Sequence, residues 1–224
     1  MRLVIRSYTK QFRHNTVLDD ITASFESGTI YGLQGKNGSG KTMLMRALSG
    51  LIRPTSGTVE VDGVPLGKDF DMLPSVGVLL ESPTFLDSYT GLRNLETIAS
   101  IRQVAHRKQL EDTLRRVGLD PLDKRPYRKY SLGMKQRLGI ACAIMESPDV
   151  VMLDEPFNAL DASGISLTRT IIREEKERGA LVILACHDAQ ELANLADEIL
   201  VIEQGRLVSV IDDVRKGVEN GDGL

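Results

Sequence analysis

"GKNGSGKT", Gly35–Thr42, follows the apolar run Thr29–Gln34 and precedes leucines at Leu44, Leu48 and Leu51, so a strand leads into it and a helix leads out. It satisfies the G-x-x-x-x-G-K-[ST] pattern of a phosphate-binding loop in full, in the strand-to-helix context that the pattern requires. The glycines let backbone N–H groups turn inward around phosphates, Lys41 reaches the β- and γ-phosphates, and the Thr42 hydroxyl is suited to ligate Mg²⁺. A Gly/Ser linker that happens to end in Lys-Thr has no reason to lie between those two elements. Gly35, Lys36, Asn37, Gly38, Ser39, Gly40, Lys41 and Thr42 are therefore expected to cradle a nucleoside triphosphate.

Working outward, short β-type runs alternate with helical patterns, which favours a parallel sheet with helices on its faces. Strands are expected at Leu3–Tyr8, Ile21–Phe25, Thr29–Gln34, Thr58–Val61, Val76–Leu80, Val150–Leu153, Leu181–Ala185 and Ile199–Ile202. "ITASF" from Ile21 alternates apolar and polar residues, as a half-exposed antiparallel strand does, whereas "VVML" and "LVIL" are apolar throughout and read as central parallel strands. From about residue 86 to 145 the pattern is helical without a convincing strand, which reads as an inserted helical subdomain. Gly118 and Gly179 sit where helix C-caps are expected, and Asp188 with Glu191 has the spacing of a capping box. The last dozen residues, ending "ENGDGL", are expected to fray.

"VVMLDEP" ends a buried strand with Asp154 and Glu155, at the crevice where open α/β sheets bind ligands. After a phosphate-binding loop, Asp154 is suited to hold Mg²⁺ and Glu155 to orient and deprotonate an attacking water. A third strand, "LVILAC", runs into His187, which could hydrogen-bond the terminal phosphate. "YSLGMKQRLGIA", Tyr130–Ala141, opens with serine and glycine and then becomes an apolar stripe, the pattern of a helix N-terminus that attracts anions. The first loop already serves the phosphates of this chain, so a second copy, turned head to tail, is the expected source of the anion that this helix meets.

Composition narrows the class. The chain has 224 residues, with 28 basic and 31 acidic side chains and a formal net charge of -3, so no electrostatic argument points to nucleic acid as a partner. Cys142 and Cys186 lie in apolar stretches without metal-ligand spacing and read as reduced core residues. No basic and then apolar leader opens the sequence, and its apolar runs fall far short of the ~18 residues of a membrane span. A cytosolic protein is expected, and any membrane role needs another chain.

The ordered motifs, with "YSLGMKQR" ahead of "VVMLDEP", make the chain similar to the nucleotide-binding subunits of ATP-binding cassette (ABC) transporters, over nearly its whole length. The resemblance implies an α/β fold with a P-loop NTPase, RecA-like core, an N-terminal antiparallel β subdomain and the helical insert, all within one domain covering 1–224. It implies an ATPase using ATP and Mg²⁺, in which Ser131 and Gly133 contact in trans the nucleotide bound to the partner's loop. Phe12 falls at the aromatic position that stacks on adenine, a contact worth ~1–3 kcal/mol. "FNALD" resembles the loop whose aspartate, here Asp161, crosses the dimer interface, and the same residue reads as a helix N-cap. Integral membrane permease subunits and a second nucleotide-binding subunit, identical or closely related, are the implied partners.

Two departures stand out. Where most family members carry glutamine, this chain has Glu81; an ionised glutamate accepts but does not donate, and it is expected to bind Mg²⁺ as a hard anionic ligand, the alternative being repulsion from Glu155 and the phosphate. Leu132 and Met134 replace the usual glycine and glutamine of the signature. "ESPTF" with "SLGMKQR" is similar to the branch that exports bacitracin-type peptides, lantibiotics and sodium, whose members often carry a C-terminal extension not found in this sequence. Phe85, Leu86 and Tyr89 are expected to offer apolar contact to a helix of the permease, the alternative for each being packing within the domain. A soluble repair or regulatory ATPase of similar motifs is the rival, but the heptad-rich coiled coils of the repair enzymes are missing. A small-molecule kinase leaves Ser131, Glu155 and His187 without roles.

Overall fold

The computed structural model describes residues 1–68 and 71–212, so the C-terminal segment expected to fray lies outside the described residues. β1 (Arg2–Phe12) and β2 (Asn15–Glu26) form a long hairpin, and β3 (Ile30–Gln34) runs through the glycine loop into α1 (Lys41–Ser49). β4 (Ser56–Val61), β5 (Val64–Pro65) and β6 (Val76–Leu79) follow, then α2 (Gly91–Arg102), α3 (Arg107–Arg116) and α4 (Leu132–Ile144) with no strand between them. The chain continues through β7 (Val150–Asp154), α5 (Ala162–Glu177), β8 (Leu181–Ala185), α6 (Ala189–Leu195), β9 (Glu198–Glu203) and β10 (Arg206–Asp212).

Two sheets result. β2, β1, β4 and β5 form an antiparallel sheet, and the larger sheet has the order β10-β9-β3-β8-β7-β6, parallel except for β10. β7 as far as Leu153 and the whole of β8 are apolar because both of their faces are covered. Val151 and Leu153 enter the core shared with the helices, while Val150 and Met152 enter a second core beneath α1 and the antiparallel sheet. β8 divides in the same way, as a period of two requires. By contrast, in β2 Ile21 and Phe25 are buried and Thr22 and Ser24 exposed.

The parallel register brings the functional ends together. Leu33 and Asp154 both pair with Ala185, so β3, β7 and β8 end at one edge, where the glycine loop, Asp154–Glu155 and His187 emerge. Small residues let α4 lie close on β6: a Cβ added to Gly139 would meet Leu79 and Pro83 at under 3 Å, and one on Gly77 would strike the Ala143 carbonyl.

Some local expectations need correction. Leu51 lies beyond the end of α1 and is exposed. Asp188 caps α6 by accepting from the Gln190 and Glu191 N–H groups, but the Glu191 carboxylate bonds Arg169 instead of closing a reciprocal box. Gly118 and Gly179, by contrast, do close α3 and α5 as expected, in left-handed conformation at φ 73° and 95°.

Candidate active site

The loop after β3 curls around its own lysine. Lys41 Nζ donates to the carbonyls of Gly35 at 2.7 Å and Lys36 at 3.3 Å, and the Ser39 N–H donates to Lys36 O at 3.0 Å. Gly40 starts α1 at φ 113°, where a Cβ would press on the Val17 carbonyl at 3.2 Å, so glycine is required there. The Ser39 hydroxyl is buried and has no hydrogen-bond partner among the described residues. A buried orphan hydroxyl beside unpaired N–H groups at a helix start fits a phosphate oxygen.

A cavity of about 600 Å³ opens over this loop. Asn37, Gly38, Gly40, Lys41 and Thr42 form its floor, Glu81, Asp154 and Glu155 one wall, and Asn15–Val17 with Gln204–Gly205 the other. Thr42 Oγ1 donates to Asp154 Oδ2 at 2.5 Å, which brings two hard oxygen ligands together as Mg²⁺ requires. Asp154 is only 7% exposed, and its pKa is raised chiefly by burial, with the Glu155 charge adding and the Thr42 hydrogen bond opposing. A buried carboxylate of this kind gains most from a neighbouring cation.

Glu155 follows with φ 50°, left-handed although it is not glycine. Its N–H donates to the Ala185 carbonyl at 2.8 Å, and its own carbonyl accepts from Gln136 Nε2 at 3.0 Å and from the Asn158 N–H at 3.2 Å. The turn aims the side chain at His187, whose Nδ1 lies 2.7 Å from Glu155 Oε2. Glu81, at φ 60°, borders the same cavity with its carboxylate on Arg46 Nη2 at 2.7 Å.

Other expected residues lie elsewhere. Phe12 ends β1 opposite Asn15, 46% exposed, with Lys10 Nζ 4.7 Å from its ring centre; the ring is outside the cavity lining while Asn15 is part of it. Ser131 caps α4, its hydroxyl accepting from the Met134 N–H at 3.2 Å. Ser131, Gly133 and Asp161 line a second, open depression, separate from the first. Asp161 caps α5 through the Gly164 N–H at 2.8 Å. The helix that starts at Ser131 nevertheless reaches the first cavity, because Gln136, further along it, lines that wall. Sequence reasoning passed over Gln136, since a glutamine inside an amphipathic helix carries no signal of its own. It also passed over Asn15–Val17, which open β2 beyond the hairpin turn, and Gln204–Gly205, the turn between β9 and β10, because neither stretch carries a phosphate-binding pattern.

Phe85 is half-buried, edge-on to Tyr127 at 5.3 Å, and belongs to the fold; Arg93 stacks on Tyr89 at 3.9 Å, and Leu86 is the member of the trio left 51% exposed. The buried Asn94 holds this turn by accepting from the Leu86 N–H at 2.9 Å and donating to the Leu86 carbonyl at 3.2 Å. No helix among the described residues is long and apolar enough to cross a membrane.

Comparison with known proteins places the sequence and the fold. The chain is 45% identical over 203 residues to the uncharacterized ABC transporter ATP-binding protein YybJ of Bacillus subtilis, covering 91% of this chain and 93% of the relative. It is 39% identical over 206 residues to the bacitracin transport ATP-binding protein BcrA of Enterococcus faecalis, covering 91% and 67% of the two chains. The fold matches the dimeric structure of MJ0796, a bacterial ABC transporter cassette, with a TM-score of 0.84 at 20% identity, covering 94% and 98%. Residues 18–158 match the family described as ABC transporter, and together with these relatives they show that the chain belongs to the ABC transporter family as one of its ATP-binding cassettes, an ATPase.

Proposed function

We propose that the chain binds and hydrolyses ATP for separate integral membrane permease subunits, closing head to tail on a second nucleotide-binding subunit, identical or closely related. The carrying observation is that one chain presents two half-sites in separate depressions: the loop cavity with Lys41 and Thr42, and the capped helix start with Ser131 and Gly133. Each is incomplete alone, and a two-fold axis between copies pairs each with the other's complement.

In this reading Gly35–Thr42 hold the phosphates, and Lys41 leaves its own loop carbonyls for the β- and γ-phosphates. Thr42, Asp154 and Glu81 would hold Mg²⁺, which would neutralise charge on the phosphates, Glu81 after giving up its ion pair with Arg46. Glu155 takes the proton of the attacking water, and His187 fixes the carboxylate and meets the γ-phosphate. Phe12 stacks on adenine at the rim. Ser131 and Gly133 cap the partner's γ-phosphate, and Asp161 lies in the interface. ATP closes the pair and hydrolysis opens it.

The whole chain, 1–224, acts as a single nucleotide-binding domain, with a helical subdomain over about 86–145 built on α2, α3 and α4. The domain works at the cytoplasmic face of the membrane, with no nucleic acid. Similarity to a bacitracin transport protein favours export of an antimicrobial peptide over a drug or an ion. In the test, Glu155→Gln with saturating MgATP is run by size exclusion; a dimer is expected, and a variant that stays monomeric overturns the reading.

A further inference from the structure

Gln136 belongs to none of the roles above, yet it is 8% exposed and its amide nitrogen donates to the Glu155 carbonyl at 3.0 Å. With the Asn158 N–H on the same carbonyl and the Glu155 N–H on Ala185, both backbone polar groups of this left-handed residue are engaged. Such a conformation persists only where its surroundings over-determine it. Gln136 contributes one of the two bonds to the carbonyl, and it is the one that comes from α4.

The same helix carries Ser131 as its cap and Gly133 in its first turn. Two more contacts hold this part of α4 to the segment between Glu155 and α5. A Cβ on Gly133 would lie 2.9 Å from the Ala159 carbonyl, so the helix and that turn are in close approach, and Arg137 Nη2 reaches Asp161 Oδ1 at 3.2 Å. The start of α4 and the chain from Glu155 to Asp161 are thus joined at three points. A displacement of the helix end has a short mechanical route to the carboxylate.

We propose that Gln136 is a positioning residue that transmits engagement of the Ser131 end of α4 by the partner's nucleotide to the backbone of this chain's own Glu155. Its carboxylate is then aimed at the water in its own site when the opposite site is filled. The proposal rests on the head-to-tail reading and adds to it a link between the two sites that runs inside each subunit.

The test is Gln136→Met, which keeps the length and removes the donor, with Gln136→Ala as a second variant should the first fold poorly. The expected result is a kcat lowered about tenfold, a loss corresponding to ~1.4 kcal/mol, with KM for ATP within about twofold of wild type. In a Glu155→Gln background the same change is expected to leave the ATP concentration for half-dimerisation unmoved. Combined with Ser131→Ala, the kcat losses should be smaller than their product, because both act through one helix. An unchanged kcat, a raised KM at constant kcat, or losses that multiply would overturn the proposal. Failure of Glu155→Gln alone to dimerise would instead remove the head-to-tail reading, and the proposal with it.

Discussion

Glu155 Oε2 and His187 Nδ1 meet at 2.7 Å across the ends of two neighbouring parallel strands, β7 and β8. The pairing follows from the fold, since Asp154 is in register with Ala185 and each strand delivers its polar residue just past that pair. The Glu155 carboxylate is thereby held toward the cavity over the glycine loop. Glu155→Gln should lower ATP hydrolysis by about 10²-fold or more, the usual contribution of a general base, while ATP affinity changes little. His187→Ala should lower it too, by less than Glu155→Gln if its main task is to orient the carboxylate. Steady-state phosphate release with parallel nucleotide-binding measurements checks both.

Glu81 and Arg46 form the ion pair that shields a third carboxylate near Asp154 and Glu155. With side chains 64% and 35% exposed, the pair itself holds little stability. A Mg²⁺ ion can therefore draw Glu81 away at small cost. Glu81→Gln is expected to raise the Mg²⁺ concentration for half-maximal hydrolysis several-fold; an unchanged Mg²⁺ dependence would show that Glu81 stays off the metal.

Burial raises the pKa of Asp154 above its ordinary value, so ionised Asp154 is a cost to the folded, metal-free protein. For an acid with a raised folded-state pKa this cost is full at pH above that pKa, shrinks as pH falls below it, and is gone only below the ordinary carboxylate value. Asp154→Asn keeps an acceptor for the Thr42 hydroxyl and removes the charge. In the absence of metal it should melt at a higher temperature than wild type at neutral pH, with the difference closing as pH falls, while Mg²⁺-dependent hydrolysis is lost. Thermal melts across pH in a chelator check the first part, and an Asp154→Asn protein less stable than wild type at neutral pH would contradict it.

Leu86 is the exposed apolar member of the turn braced by Asn94, whereas Phe85 packs on Tyr127. Leu86→Asp should therefore leave basal hydrolysis within about twofold and abolish its stimulation by reconstituted permease subunits. Phe85→Asp should lower the melting temperature, because it places a charge in a half-buried aromatic cluster.

Much of this was legible from the sequence where a pattern is local. The glycine loop, "VVMLDEP" and "LVILAC" each state an element and its chemistry within a few residues, and β3, β7 and β8 form at those positions. β5 has two residues, too few to show periodicity, and β10 is an edge strand with a register shift between Leu207 and Ser209 and with Val208 and Val210 exposed, which blurs any alternation. Gln136 and the Arg46–Glu81 pair were not legible because their partners are remote in sequence and ordinary in type. Phe85 could not be told from Leu86 without the fold, since the two differ in which side of the turn they face rather than in apolar character.

The central claim is that each nucleotide is held by the Lys41 loop of one subunit and the Ser131 helix of the other. Lys41→Ala and Ser131→Arg, each inactive as a pure protein, can be mixed and assayed for ATP hydrolysis. The account predicts that activity returns on mixing, since the mixed dimer contains one site with an intact loop from the second variant and an intact helix from the first. Activity that stays at the level of the separate variants, with mixed dimers present, would contradict it.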